Sequence, residues 1–278
     1  MIRFYEIAPF VPITYTYEID KIHYKAKSAY QEIMVIENPQ LGKMLILDGI
    51  VQLTEKDEFF YHEMITHVAM HAHPNPKKVV IIGGGDGGTV REVLKHDTVE
   101  KVYFVEIDRE VIHVSRTFFP TVACSVDDSR VEIHCMDGAE FVKKTARDID
   151  IVIVDSTDPI GFATSLFTEG FFNTVRQCLN NEGFFVTHTE SLLLHKNIVI
   201  EAQQALRKSF PVVDIYTAPI ATYPGNWWAF AIASGTLDPR VMKRPCTVET
   251  RFYDNEMHSH SFLPRGFYEK LMTGKLTW

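Results

Sequence analysis

A chain of 278 residues with 46% hydrophobic content is long enough to bury a full core, as one large domain or one with a small appendage. Its formal net charge is −8, and the acids are spread along the chain with no basic stripe, which argues against a nucleic-acid or anionic-membrane surface. No apolar run approaches the ~18 residues of a membrane span. The opening MIRFYEIAPF lacks a basic segment followed by an apolar one, and Cys124, Cys135, Cys178 and Cys246 are scattered without C-x-x-C spacing. Reduced thiols and a cytoplasmic location are therefore expected.

Residues 1–75 alternate rather than cycle helically. YTYEIDKIHYKAKS, YQEIMVIEN and KMLILDGIVQL read as strands of a small antiparallel sheet, joined by the turn-like NPQLG and LDG. A helix is expected next, with Thr54 as its N-cap, the acids Glu55, Asp57 and Glu58 near its positive end, and FFYHEMITHVAMHAH as its body. Pro74-Asn75-Pro76 stops it and marks the expected boundary between residues 1–75 and 76–278.

From Lys77 strands and helices alternate. The strands are KKVVIIGGG, KVYFVEID, VEIHCMDG, IDIVIVDS, GFFVTHTE and VVDIYTAPI, with WWAFAIAS after a short TYPGN turn; the helices are TVREVLKH, REVIHVSRTFF, AEFVKKTA, EGFFNTVRQCLN and HKNIVIEAQQALRKSF. Near-continuous apolar strands with crossover helices predict an α/β fold, a mostly parallel seven-stranded sheet covered on both faces. The last two strands are too close for a crossover, so the final one is expected to run antiparallel.

IIGGGDGG satisfies G-x-G-x-x-G through Gly83, Gly85 and Gly88, between a strand and a helix. Alone it says only nucleotide or nucleoside. Eighteen residues past Gly88 the second strand ends in Glu106, an acid able to accept both ribose hydroxyls. The third ends in Asp137-Gly138, where an acid can meet an adenine amino group, and the fourth in Asp155. Ligands of open parallel sheets sit beyond these strand ends. The crevice is thus acidic, a pattern suited to a cationic sulfonium nucleoside rather than to hydride transfer.

Asp86, inside the glycine loop, would repel the carboxylate of an S-adenosylmethionine tail but attract the bare ammonium of a decarboxylated one. At ~4 Å and an effective dielectric near 20, such a pair contributes about 4 kcal/mol before desolvation. The competing reading is that Asp86 only hydrogen-bonds its own loop. VDSTDPIG puts Asp155 and Asp158 three residues apart before Pro159, either as a solvated loop or as a site for a positively charged substrate. YHEMITH imitates the H-E-x-x-H zinc signature, but His62 and His67 are five residues apart. That separates them by roughly 140° on a helix, so this pair cannot share a metal and no metal is expected. Tyr61 and His62 are candidates for the cleft between the small sheet and the large domain, although core packing would explain either residue alone.

YQEI around Gln31, LDGIVQLTEKDEFFYHEM, IIGGGDGGTVREVLKH, VEID, DSTDPIG, ATYP and RFYDNEMHSHSFLP, in this order, resemble the spermidine synthases, the polyamine aminopropyltransferases, nearly end to end. The resemblance implies a methyltransferase-like Rossmann domain behind an N-terminal β-sheet domain, assembled as a homodimer or homotetramer. It implies aminopropyl transfer from decarboxylated S-adenosylmethionine, a co-substrate rather than a cofactor, to putrescine. By motif, Gln31, Glu106, Asp137 and Gly138 would hold the nucleoside, with help from Gln52, and Asp86 the aminopropyl ammonium. His62, Asp158 and Tyr223 would line the diamine channel, with Ser156 and Thr157 beside them. Asp155 would be the base and Tyr61 would orient the attacking nitrogen. A putrescine amine is cationic at neutral pH and must lose a proton before it attacks, which a strand-end carboxylate can accept. Pro159 to Leu166 would form a lid. Phe162 and Ala221 stand where the family commonly has proline, and Asn226, Trp227 and Trp228 flank the acceptor end. These leave open putrescine, cadaverine, agmatine or spermidine as acceptor. A putrescine N-methyltransferase, a silent polyamine-binding protein and, more remotely, an NAD-dependent oxidoreductase are the alternatives.

Overall fold

The computed structural model describes residues 2–144, 148–157, 161–276 and 278. Strand β1 (Ile2–Ile7) pairs antiparallel with β2 (Thr14–Ile19) as a separate two-stranded ribbon. Strands β3 (Lys21–Lys27), β4 (Glu32–Asn38), β5 (Gly42–Leu47) and β6 (Ile50–Thr54) form a four-stranded antiparallel meander. YTYEIDKIHYKAKS is therefore not one strand: it breaks at Asp20 and its halves belong to different sheets. The β5–β6 turn is Asp48-Gly49, both at positive φ, as a tight hairpin requires.

Alternation explains how the meander is buried on both faces. Ile33, Val35, Leu45, Leu47 and Leu53 pack against Val111, Val114, Phe119 and Val122 of the large domain. Met34, Ile36, Met44, Ile46 and Val51 face Ile19, Phe4 and Tyr17 of the ribbon.

Helix α1 (Glu58–Ala72) begins at Asp57, not at Thr54. Thr54 ends β6 and donates its hydroxyl to Asp57 Oδ1 at 2.6 Å. Asp57 does not cap the helix with its side chain either; Oδ2 accepts the backbone N–H (3.0 Å) and hydroxyl (2.7 Å) of Thr222. The residue types were those of a helix start, but tertiary contacts claim them. α1 is buried along nearly its whole length, which explains why its sequence shows no clean polar face.

The large domain follows as β7 (Lys78–Gly83), α2 (Gly88–Leu94), β8 (Lys101–Val105), α3 (Arg109–Phe118), β9 (Val131–His134), α4 (Gly138–Lys144) and β10 (Ile149–Asp155). A 3₁₀ segment (Gly161–Phe167) leads to α5 (Glu169–Cys178), β11 (Leu179–Ser191), α6 (Lys196–Leu206), β12 (Val212–Pro219), β13 (Trp227–Ser234), α7 (Asn255–Ser261) and α8 (Arg265–Met272). The sheet order is β12-β13-β11-β10-β7-β8-β9, and β13 lies antiparallel between β11 and β12. The expected antiparallel last strand is thus observed; the ribbon strand β1 and helices α7 and α8 were not anticipated. One apolar layer joins the sheet to α1 and α2, the other to α4, α5 and α6. The chain leaves β7 towards β8 on one side and returns as β10 on the other, which opens a crevice at their carboxyl ends.

Candidate active site

That crevice is a cavity of ≈ 580 Å³. Gln31, Gln52, Tyr61, His62, Asp86, Glu106, Asp137, Gly138, Asp155, Ser156, Thr157 and Tyr223 all line it. Of the side chains expected from sequence, Asp158 lies outside the described residues, as does the start of the expected lid; Ala163, Ser165 and Leu166 of the 3₁₀ segment do line the cavity.

Its centre is where β7 and β10 end side by side, Asp155 paired with Gly83. Gly83 and Gly84 both have positive φ, and a Cβ on Gly83 would run into the Asp155 carbonyl. A Cβ on Gly88 would strike the His62 imidazole. The glycine turn thus brings the base candidate and the helix α1 histidine together.

Asp155 is 8% exposed. Oδ1 accepts the Tyr61 hydroxyl at 2.7 Å and Oδ2 the Thr89 hydroxyl at 2.6 Å. Burial, reinforced by the Asp86 charge, raises its pKa against the opposing pull of His62 and the two hydroxyls. Burial and Asp155 hold the Tyr61 phenol well above its ordinary value, so Tyr61 stays a donor. A buried carboxylate of raised pKa, steered by two donors, has the character of a general base.

His62 lies between two acids, with Nδ1 2.6 Å from Glu58 Oε2 and Nε2 3.1 Å from Asp86 Oδ1. Burial opposes its charge, but the Asp86 and Glu58 carboxylates outweigh burial and push the pKa up to about 10. Both ring nitrogens therefore donate at neutral pH. Asp86 Oδ1 also accepts from Gly88 N at 2.7 Å. Burial works against its charge; the His62 imidazolium overcomes this and holds the carboxyl below its ordinary value. Glu58 is itself gripped by Arg91 Nη2 at 2.8 Å. Sequence reasoning saw in Glu58 only a helix-terminal acid and did not single out Arg91; no local pattern marks a contact 33 residues apart.

Beyond β8, Glu106 immediately follows the strand and is 7% exposed. Its Oε1 accepts from Asp108 N at 2.8 Å. Burial drives its pKa up to about 7, helped by Asp108, Asp86 and Asp155 and opposed by that N–H. Gln31 Nε2 donates to Asp108 Oδ2 at 3.0 Å, joining the meander to the same rim. Asp137 Oδ1 accepts from Glu140 N at 3.0 Å, at the start of α4. A Cβ on Gly138 would collide with Ile82.

At the other end, the Tyr223 hydroxyl donates to Gln52 O at 2.7 Å, and its ring packs against Tyr61 and Trp228. Ser156 O lies 2.7 Å from His188 Nε2. Among the lining side chains that sequence reasoning did not single out are His188, Glu190 and His195. Glu190 is 2% exposed, sits at φ +76, and holds Oε2 3.3 Å from His195 Nδ1. Its positive φ falls inside β11, where the register with β13 shifts between His188 and Ser191, and no residue type there announces it. The ribbon adds Ile7, Ala8 and Pro9 to this wall.

Comparison with known proteins agrees with this architecture. A family model described as the spermine/spermidine synthase domain matches residues 58–243, and one described as the spermidine synthase tetramerisation domain matches residues 3–55. The polyamine aminopropyltransferase of Hydrogenobaculum sp. (strain Y04AAS1) is 52% identical over 277 residues, covering 100% of this chain and 99% of that one. Polyamine aminopropyltransferase 1 of Aquifex aeolicus (strain VF5) is 51% identical, covering 99% and 98%. Among solved structures, a spermidine synthase in complex with the transition-state analogue AdoDATO superposes with a TM-score of 0.92 at 38% identity, covering 99% of this chain and 96% of that one. The spermidine synthase of Thermotoga maritima gives 0.91 at 38%, covering 99% and 95%. No helix among the described residues is long and apolar enough to cross a membrane. With strand-end acids, glycine turn and both family models in agreement over one chain, the protein belongs to the spermine/spermidine synthase family of polyamine aminopropyltransferases.

Proposed function

We propose that this chain is a spermidine synthase, moving the aminopropyl group of decarboxylated S-adenosylmethionine onto putrescine to give spermidine and 5′-methylthioadenosine. The observation that carries the reading is Asp155: a buried carboxylate of raised pKa, held by Tyr61 and Thr89 beside the His62–Asp86 ion pair. In this reading Glu106 accepts the ribose hydroxyls, Asp137 and Gly138 take the adenine edge, and Gln31 and Gln52 close over the nucleoside. Asp86 sits by the aminopropyl ammonium. One putrescine ammonium gives its proton to Asp155, and the freed lone pair attacks the carbon next to sulfur. The C–N bond forms as the C–S bond breaks, and the bonding pair leaves on sulfur as a neutral thioether. The sulfonium is its own leaving group, so positioning and proton removal are what the protein must supply. His62, Tyr223, Ser156, Thr157 and Asp158 border the acceptor. That a solved neighbour with this fold holds AdoDATO supports the same use of the cavity.

The chain also acts as a homo-oligomer in this reading, a dimer or tetramer. Its ribbon turns Ile2, Tyr5, Ile7 and Phe10 outward, each more than half exposed, within or beside the stretch matched by the tetramerisation-domain model. The deciding experiment incubates the protein with putrescine and either the decarboxylated or the intact donor and identifies the nucleoside product by mass. Methylthioadenosine from the decarboxylated donor is expected. S-Adenosylhomocysteine from the intact donor would make it an N-methyltransferase instead. Cadaverine, agmatine and spermidine run in parallel define the acceptor.

A further inference from the structure

Away from the cavity, on the opposite end of α1, three histidines converge. The zinc-like spacing dismissed in YHEMITH joins His62 to His67; the pair that shares a helix face is His67 and His71, four residues apart. His96, just beyond α2, meets them: one ring nitrogen from each of the three lies within 4.8 Å of the others, and all are buried. His67 Nδ1 is 3.0 Å from His96 Nε2, while His67 Nε2 is 2.9 Å from Glu92 Oε2. His71 is 1% exposed, and neither of its ring nitrogens has a hydrogen-bond partner among the described residues. A buried imidazole with two unmet polar atoms, aimed at a neighbouring histidine pair, calls for a ligand.

We propose that His67, His71 and His96 bind a divalent transition-metal ion of the zinc, cobalt or nickel class. Tetrahedral coordination at ~2.0–2.1 Å needs ring nitrogens roughly 3.3 Å apart, so the His67–His96 contact opens by only a few tenths of an ångström. Glu92 already holds the far nitrogen of His67, the carboxylate–histidine arrangement that orients a ligating imidazole. The proton balance also closes. His96 moves its hydrogen from Nε2 to Nδ1, and Arg244 gives up its long 3.5 Å contact there while keeping its 2.8 Å bond to Met70 O. A cavity of ≈ 320 Å³ bordered by His71 and His96 leaves room for a water as fourth ligand. Arg244 and Lys95 also border it, and their like charges weaken the expected affinity for a cation.

Protein stripped with a chelator and titrated with ZnCl₂ tests this by calorimetry and thermal unfolding. One equivalent is expected to bind, with Tm rising by about 5 °C at a hundredfold excess over Kd. Co²⁺ should give the visible absorption of a tetrahedral site, and Mg²⁺ no shift. His71→Leu should lose at least ~10-fold in metal affinity yet keep wild-type aminopropyl transfer; His71→Gln replaces it if the leucine variant does not fold. No Tm shift with Zn²⁺, Co²⁺ and Ni²⁺ overturns the proposal. So does a His71 variant that binds like wild type, because the ion would then sit elsewhere, for example among His62, Asp86 and Asp155.

Discussion

Replacing Asp155 by asparagine separates proton acceptance from every other task of that position. The amide keeps the size of the carboxylate and one acceptor for Tyr61, while the Thr89 hydroxyl can rotate to accept from the new N–H, so the lost hydrogen bonding costs about 1 kcal/mol. Turnover should fall at least ~100-fold, a barrier increase of about 2.7 kcal/mol, because the amide cannot take the proton that the proposed mechanism assigns to this position. Stability should move the other way. A carboxyl whose folded pKa is raised binds its proton more tightly in the folded state, so its ionisation at neutral pH opposes folding. Asp155→Asn should therefore leave Tm unchanged or raise it. Steady-state formation of methylthioadenosine, calorimetric binding of methylthioadenosine and thermal unfolding read the three quantities. Turnover within tenfold of wild type, with nucleoside binding and Tm intact, would refute the assignment of Asp155 as base.

Asp86→Asn should weaken binding of the decarboxylated donor by about 10-fold or more while methylthioadenosine, which lacks the ammonium, binds nearly as before; equal losses for both would contradict an ammonium contact. Glu106, with its pKa raised from 4.5 to about 7, should make nucleoside binding tighten as pH rises through about 7. Its sign for stability is opposite: the folded state keeps the proton longer, so stability falls between pH 4.5 and about 7, and Glu106→Gln should remove both trends in calorimetry and unfolding series. Tyr5→Glu with Ile7→Glu on the ribbon should shift the particle to a smaller species in light scattering; an unchanged mass would exclude this face as the contact.

Where an apolar run ends in an acid, the sequence states both the strand and what stands at its tip, and IDIVIVD and VYFVE delivered Asp155 and Glu106 to one rim. Tyr61 and His62 needed the family resemblance, because a helix buried on every side offers no period from which to pick a functional face. Thr54 misled because capping preference is local, while Asp57 is claimed by Thr222, 165 residues away. The break at Asp20 escaped because two alternating strands in different sheets look like one long one. Glu190 and His195 were invisible for a similar reason: their meeting depends on how β11 ends, and that conformation is set by packing rather than by composition.

The ribbon has a further role. Ala8 and Pro9 finish the far wall of the cavity with the half-outward Ile7 at its rim, while Tyr5, two residues before Ile7, and Phe10, just after Pro9, are more than half exposed. On the proposed function, insertions or tags that disturb the first ten residues should alter acceptor preference more than nucleoside binding, which a diamine panel and calorimetry with methylthioadenosine would show. Residues at the start of the chain thus share one cavity with Asp86 and Asp155, which lie far from them in sequence.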